Sequence, residues 1–348
     1  MGIKSLKKLL LKKCINNGAY KEKKISDFRD KTIFIDTSIY MYQYKYYGNI
    51  IPRFMKMISI LLKYNITPIF VFDGKPTQHK DNVLQERRER KEKLDAEIVE
   101  LTKKIEIKVK EIREVKDKSK IDIEKEQESI RKNQEKIYKK EKQNIKVTWM
   151  DTRDLKKLLK NIGIPYIHKE AEADVVIPYV INKFNLEPYC LSDDTDFLAH
   201  RMNMISRFNL ANEKVEFYNY PEILAKLSLS ADNFTDMCIV MGCDYYKGVK
   251  GIGPMKSYSM ISKHKGKLMK EIFKDLDETK YLESKKMFSG NCNFEIEEVL
   301  TLGEFNKEIF DKYCDENEIK EDNRDSIIKY RIPKKVNTIS NYFKKSKK

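Results

Sequence analysis

The chain has 348 residues, enough for one large α/β core or for a core with appended modules. Its net charge of +16 and pI near 9.2 favour a polyanionic partner such as nucleic acid, although a Lys-rich composition alone would also raise the charge. No segment is apolar for long enough to cross a bilayer, the start MGIKSLKKLL lacks a signal-peptide core, and the cysteines form no C-x-x-C pair. These features argue against a membrane protein, a secreted disulfide-bonded protein and a zinc site.

The first part of the chain alternates basic amphipathic segments with short apolar runs. The patterns predict helices at 3–13 and 50–64 and strands at 32–36 and 68–73. This alternation is typical of a parallel sheet with crossover helices.

From Leu84 to about Ile145 the chain contains no Gly or Pro, and charged residues dominate. Apolar residues recur at threes and fours from Leu94 to Ile112, and the pattern breaks near residues 117–120 before it resumes. We expect two long helices that form an antiparallel hairpin with a thin apolar seam, projecting from the sheet domain. A coiled coil used for oligomerisation is the alternative interpretation.

After Trp149 the α/β pattern returns. It predicts helices at 151–161 and 172–184 and strands at 165–167 and 188–192. Residues 231–262 are predicted to form two helices joined by the loop GVKGIGP, and charged helical segments and a basic tail follow.

Acidic residues fall at or near the ends of several predicted strands. Parallel strands end at one edge of a sheet, where open α/β folds hold their ligands. Carboxylates crowded at that edge would repel one another unless divalent cations lay between them, and two such ions about 3.5 to 4 Å apart are the usual means of phosphodiester hydrolysis. The candidate metal ligands are Asp36, Asp73, Glu170, Glu172, Asp194, Asp196 and Asp244.

Each of these acids also has a simpler interpretation. An Asp after a strand often forms a turn or caps a helix, and Glu170 and Glu172 would be favoured in the first turn of a helix by its dipole. The co-occurrence of the acids with the basic and glycine-rich motifs described next favours the metal site.

Two further motifs accompany the acids. Lys80 and Arg87 lie seven residues apart on a predicted helix directly after Asp73, so both would face the acids and could stabilise negative charge on a phosphate. In GVKGIGP, the glycines at 248, 251 and 253 would let backbone amides and a helix N-terminus approach a DNA phosphate. A solvated basic face is the alternative for the first motif, and glycine-rich loops alone are weak signals.

Together these motifs resemble the flap endonuclease family of structure-specific 5′ nucleases over nearly the whole chain. The resemblance rests on MGI at 1–3, FID ending at Asp36, VFDGKP at 71–76, GIPY and EAEAD within 163–174, SDDTD at 192–196, and GCDY with GVKGIGP within 242–254.

The resemblance implies roles for individual residues. The seven acids would hold two Mg²⁺ ions, directly or through water, and Mn²⁺ could substitute for Mg²⁺. Lys80 and Arg87 would be catalytic, and Tyr42 would stack on a base. Residues 84–146 would form an arch that a 5′ single strand passes through, and 236–262 a helix-two-turn-helix element with a K⁺ ion. The expected DNA contacts are Gly2, Tyr42, Gly248, Lys250, Gly251, Gly253 and Lys256.

The fold expected from pattern and resemblance is an α/β, mostly parallel sheet flanked by helices, like PIN-type nuclease cores, with a helical arch and a helix-two-turn-helix element. The expected organisation is a nuclease core at 1–83 and 147–230, the arch at 84–146, a DNA-binding region with further helices at 231–330, and a tail at 331–348.

We therefore expect a metal-dependent enzyme that cuts 5′ flaps and related branched or nicked DNA in replication, repair or recombination. A 5′–3′ exonuclease of the mismatch-repair type shares these motifs, and a catalytically silent DNA-binding replication factor is a third hypothesis. We expect a monomer at a nuclear or cytoplasmic site of DNA replication, with a viral origin left open. Ile339, Tyr342 and Phe343 resemble a sliding-clamp peptide, but Val336 stands where the family usually has Gln.

Two other departures from the family concern substrate choice. The segment between Asp36 and Asp73 is shorter than in cellular relatives, which build a pocket for a one-nucleotide 3′ flap there. The expected arch is also longer and more charged than theirs.

Overall fold

A computed structural model describes residues 2–14, 19–48, 50–75, 81–114, 120–290 and 294–332. The strands are β1 Tyr20–Lys24, β2 Thr32–Asp36, β3 Thr67–Phe72, β4 Tyr166–His168, β5 Tyr189–Leu191, β6 Asn203–Asn209 and β7 Lys214–Tyr218. The helices of the first half are α1 Leu6–Cys14, α2 Thr37–Tyr46, α3 Ile50–Lys63, α4 Asp81–Glu114, α5 Lys120–Gln143, α6 Trp149–Asn161 and α7 Ala173–Phe184. Those that follow are α8 Asp196–Ala199, α9 Tyr220–Leu227, α10 Ala231–Met241, α11 Pro254–Lys263, α12 Met269–Ile272, α13 Glu278–Phe288, α14 Lys307–Glu316 and α15 Glu321–Arg331.

The seven strands form one sheet in the order β1-β7-β6-β5-β2-β3-β4. The strands from β6 to β4 pair in parallel, whereas β7 and β1 add antiparallel pairs at one side. The expected α/β fold with a mostly parallel sheet is therefore confirmed, and the antiparallel pairs were not predicted.

The central strands are buried on both faces because their side chains alternate between two apolar layers. In β3, Phe70 and Phe72 pack with α2, α3 and α6 on one face, while Ile69 and Val71 pack with α7 on the other. The alternation follows from the two-residue repeat of a strand, and it explains why β3 reads as a continuous apolar run.

A separate apolar cluster lies beside the sheet. It joins α1, α9, α10, α11 and α13, and it includes Ile3 and Leu6 near the N-terminus. This packing holds the first residues of the chain against the helices around the GVKGIGP loop.

The long helices α4 and α5 pack against each other, as expected for a hairpin. Most of their described side chains are exposed, and Lys140 pairs with Glu97 between the two helices. Among the described residues, no helix is long and apolar enough to cross a membrane.

The stability of the sheet should depend on Phe70, which is fully buried with its ring centroid 5.8 Å from that of Phe54. We expect Phe70→Ala to lower the free energy of unfolding by about 3–5 kcal/mol, measured by urea denaturation, because the change leaves a cavity. Phe184→Ala is the matched control, since Phe184 is 43% exposed and its loss should cost about 0.5 kcal/mol or less. Equal losses for the two variants would contradict the proposed core.

Candidate functional site

Carboxylates from three parallel strands meet at one edge of the sheet. Asp36 is the last residue of β2, Asp73 directly follows β3, and Asp194 lies three residues after β5. Since β2 pairs in parallel with both β3 and β5, the three strands end on the same side. Asp36 occupies the N-cap position of α2 but makes no capping hydrogen bond, so capping does not explain this residue.

The end of β3 is joined to the start of α7 by backbone contacts. The Ala173 N–H donates to Asp73 Oδ1 at 2.8 Å, and the Gly74 N–H donates to the Ala171 carbonyl at 2.8 Å. A Cβ atom at Gly74 would lie 2.0 Å from the Lys169 carbonyl oxygen, so this close approach requires glycine. The motifs VFDGKP and EAEAD thus form one structural unit.

Ser192 links the other two strand ends. Its hydroxyl donates to Asp36 Oδ2 at 2.9 Å and accepts from the Asp194 N–H at 3.0 Å. The Asp196 N–H in turn donates to Asp194 Oδ1 at 3.0 Å. These hydrogen bonds orient carboxylates that would otherwise repel one another.

The electrostatics of this edge show how closely the acids lie. Burial raises the pKa of the Asp36 carboxyl well above its ordinary value, and the charges of Asp73, Asp194 and Asp174 raise it further. Burial also raises the pKa of Asp194, to about 6, with Asp174 and Asp244 acting in the same direction. The site therefore favours an added positive charge.

Asp174 was not among the residues proposed from the sequence. It lies in the first turn of α7, and the Tyr245 hydroxyl donates to its Oδ2 at 3.3 Å. The signal was available, because Asp174 continues the two-residue spacing of Glu170 and Glu172 in EAEAD.

Gly2 lies directly against the acids. Its φ of +84° is a left-handed conformation, and a Cβ atom there would lie 2.0 Å from Asp194 Oδ1 and 2.6 Å from Asp196 Oδ1. The Lys4 N–H donates to the Gly242 carbonyl at 3.0 Å, which holds the N-terminal segment in this position. Only a residue without a side chain fits between this segment and the carboxylates.

The remaining predicted acids differ in their surroundings. Glu172 is the N-cap residue of α7, Asp196 is fully buried, and Asp244 is half-buried in the wall of a cavity. Glu170 is exposed, and its carboxylate lies 3.5 Å from Lys75 Nζ.

Within the described part of the chain, no three His, Cys, Asp or Glu side chains converge into a preformed metal cage. Mg²⁺ usually keeps several waters and takes substrate phosphate oxygens as further ligands. An open edge of carboxylates therefore fits this ion.

A cavity of about 470 Å³ adjoins the acids. Its lining includes Gly2, Asp244 and three lysines, Lys4, Lys247 and Lys280. Lys247 Nζ lies 2.9 Å from Glu86 of α4, so an ion pair connects the first turns of the hairpin with the loop after α10.

The GVKGIGP loop contains two kinds of glycine. Gly248 has φ +82°, and its Cβ atom would meet backbone atoms of residues 240–242 at 2.8 Å, so this glycine is needed for packing. Gly251 and Gly253 have open space around them, and Gly253 is the N-cap of α11. Lys250 and Lys256 are exposed beside them.

The structure describes the other predicted residues to different extents. Tyr42 lies on α2 and is 52% exposed. Lys80 and the tail residues Ile339, Tyr342 and Phe343 lie outside the described residues. Arg87 belongs to α4, but its side chain is not described.

Comparison with protein families gives two matches. The XPG N-terminal domain family matches residues 1–94, and the XPG I-region family matches residues 163–244. Both segments contain acids of the sheet edge.

Two curated proteins that resemble this chain are both named flap endonuclease 1. Flap endonuclease 1 from Xiphophorus maculatus is 30% identical over 301 residues, which cover 81% of this chain and 70% of that protein. Flap endonuclease 1 from Encephalitozoon cuniculi is 30% identical over 314 residues, covering 83% of this chain and 81% of that protein.

One solved structure with the same fold is flap endonuclease-1 from Methanococcus jannaschii. It is 26% identical with a TM-score of 0.59, and the match covers 93% of this chain and 97% of that chain. The catalytic core of Rad2 in complex with DNA substrate is 18% identical, with TM-score 0.60 and coverage of 96% and 100%. Because its identity is only 18%, the similarity to the Rad2 core shows a shared fold and no more. On the similarity to curated relatives over most of its length, the chain belongs to the flap endonuclease family.

Proposed function

We propose that this protein is a metal-dependent, structure-specific 5′ nuclease that cleaves 5′ flaps and related branched or nicked DNA. The observation that carries the proposal is the meeting of carboxylates from β2, β3 and β5 at one sheet edge. Its relatives named flap endonuclease 1 support the assignment to this chain. The protein would act as a monomer at a nuclear or cytoplasmic site of DNA replication.

The carboxylates that would hold two Mg²⁺ ions are Asp36, Asp73, Asp194, Asp196, Asp244 and Glu172, with Glu170 acting through water. When bound, the ions supply positive charge that activates a water and offsets the charge on the leaving 3′ oxygen. The raised pKa values of Asp36 and Asp194 support this assignment, because bound cations would offset both the burial and the neighbouring negative charges that raise them.

The protein's own groups would bind and orient the phosphate. Lys80 and Arg87 would neutralise its charge at the base of the arch formed by residues 84–146. Tyr42 would stack on the base next to the cleaved bond. Gly2, between the acids and the GVKGIGP loop, would leave room for the phosphate to reach the carboxylates.

Duplex DNA would bind at the GVKGIGP loop. The open surroundings of Gly251 and Gly253 allow a phosphate to approach the N-terminus of α11, where free N–H groups and the helix dipole attract anions. Exposed Lys250 and Lys256 add positive charge, and a K⁺ ion bound by loop carbonyls would complete the site. The tail residues Ile339, Tyr342 and Phe343 would bind a sliding clamp.

Cleavage of a labelled DNA panel in Mg²⁺ tests the function. We expect 5′-flap and nicked substrates to be cut, and chelation of the metal to stop the reaction. Asp194→Asn should reduce cleavage by a hundredfold or more, because losing a metal contact costs several kcal/mol, while DNA binding stays equal or tightens. Asp232→Asn is the control, since Asp232 is exposed and pairs with Arg201 outside the site.

The same panel separates the alternatives. Stepwise degradation from the 5′ end of blunt or nicked duplex, with weak flap cutting, would favour the mismatch-repair type of exonuclease. Binding of branched DNA without cleavage in any divalent metal would favour a silent replication factor.

Gly2 offers a second test, because a side chain there would displace the carboxylates. We expect Gly2→Ala to lower single-turnover cleavage by about a hundredfold, since a shift of about 1 Å in catalytic groups has this effect. Gly290→Ala controls for backbone strain, because Gly290 also has positive φ, +69°, and the nearest atom to its Cβ would be at 3.7 Å. Equal activity of wild type and Gly2→Ala would contradict the tight approach.

Lys80 and Arg87 are tested by single changes to Ala. We expect each change to lower the single-turnover rate by about a hundredfold with a smaller effect on affinity. Lys160→Ala, an exposed change on α6, is the control. A fall in affinity alone, with a salt dependence reduced by about one phosphate contact, would make these residues ordinary backbone contacts.

A further inference from the structure

Four large aromatic side chains are exposed near the base of the hairpin. Tyr46 and Tyr47 end α2 at 44% and 53% exposure, Tyr138 of α5 is 61% exposed, and Trp149 at the start of α6 is 70% exposed. We call this set the aromatic surface. Exposed apolar groups that cluster in this way mark binding sites in soluble proteins.

A ring–ring contact joins Tyr46 to Tyr47, and Lys142 links Tyr46 to Tyr138. The Tyr46 and Tyr47 centroids are 5.3 Å apart with their planes nearly perpendicular. Lys142 Nζ lies 5.0 Å from the Tyr46 centroid and 5.6 Å from the Tyr138 centroid. It also donates to the Tyr46 carbonyl at 2.5 Å, so Lys142 fixes the end of α5 against the end of α2.

An ion pair holds the start of α6, where Trp149 lies, beside the end of α2. Lys45, next to Tyr46, donates to both carboxylate oxygens of Asp151, at 2.6 and 2.8 Å. Asp151 belongs to the first turn of α6, which begins at Trp149. The beginning of α6 therefore lies beside the end of α2, which Lys142 joins to the end of α5.

Cations lie over the rings of the aromatic surface. The Arg53 guanidinium is 4.4 Å from the Tyr47 centroid, and that of Arg153 is 4.9 Å from the Trp149 ring. Rings interleaved with Lys and Arg suit a ligand that offers flat bases and phosphates in alternation. A protein partner with an apolar interface would leave these cations without compensating charge.

We propose that the aromatic surface binds single-stranded DNA by stacking bases on its rings and pairing phosphates with Lys142, Arg53 and Arg153. Its position agrees with this role, because α2 begins directly after Asp36 and its ten residues extend about 15 Å to Tyr46. Tyr42 lies one turn before Tyr46 on the same side of α2. An unpaired strand leaving the acids can thus follow α2 to the aromatic surface.

The identity of that strand as the unpaired arm of a branched substrate rests on the proposed function. Binding of a single strand does not, and it can be measured without cleavage. Trp149 is the only tryptophan of the chain, so its fluorescence reports on this surface alone.

The test is a fluorescence titration in EDTA with an oligothymidylate of about 12 nucleotides, a length within the range of single-strand sites. We expect saturable quenching as bases stack on Trp149. An oligomer of equal length without bases keeps the phosphates, and it should bind about tenfold more weakly or worse and leave the fluorescence unchanged.

Substitutions of single rings show which of them contribute to DNA binding. Tyr46→Ala and Tyr138→Ala should each weaken the quenching isotherm about tenfold, since stacking on each ring contributes separately. Trp149→Phe removes the signal, and anisotropy of a labelled oligomer should then show affinity close to wild type. Phe184→Ala is the matched control, because Phe184 is an exposed aromatic with Lys183 5.8 Å from its ring, but it ends α7.

Three results would overturn the proposal: no quenching, equal quenching by the oligomer without bases, or unchanged affinity when Tyr46 and Tyr138 are both replaced by Ala. A concentration-dependent dimer lost in that double variant, without DNA quenching, would assign the surface to a second copy of the chain instead. Quenching without any flap cleavage in Mg²⁺ would keep this proposal and remove the proposed function, so the two fail independently.

Discussion

Repulsion among carboxylates at one edge of the sheet is the constraint on which the rest of the site depends. Parallel pairing of β2 with β3 and β5 makes the crowding unavoidable, since each strand ends in or near an acid. The fold offsets part of this cost with hydrogen-bond donors, from Ser192 to Asp36 and from the Ala173 backbone to Asp73. These donors hold the carboxylates in position without neutralising them, so the edge keeps its attraction for cations.

The parts predicted from the sequence are those whose signal is local. The bounds of β2 and β3 agreed within one residue because their apolar runs end sharply at Asp36 and Asp73. Strands β1, β6 and β7 were missed. Of these, β1 is Lys-rich and exposed at the side of the sheet, and it owes its conformation to pairing with β7. The contact of Gly2 with Asp194 also depends on distant packing of α1, and no local pattern predicts it.

The hairpin is attached differently from the core. Its base is held by Lys247–Glu86 and by Lys142 on the Tyr46 carbonyl, and these contacts lie at the protein surface. Exposed contacts of charged side chains stabilise far less than the buried layers around the sheet, because water and salt screen them. The hairpin is therefore held less firmly at its base than the carboxylates, which are fixed by buried strands.

The connection between α2 and α3 is short, since the first helix ends at Tyr46 and the second begins at Ile50. A connection of this length leaves little chain to enclose the end of a DNA strand. The same shortness brings Tyr46 and Tyr47 to the surface next to α5, where Lys142 can reach them. A pocket recognises one nucleotide by enclosure, whereas an open row of rings binds successive bases with little preference for sequence or length. On this argument, the short α2–α3 connection suits the proposed single-strand site on the aromatic surface better than a pocket that encloses one nucleotide.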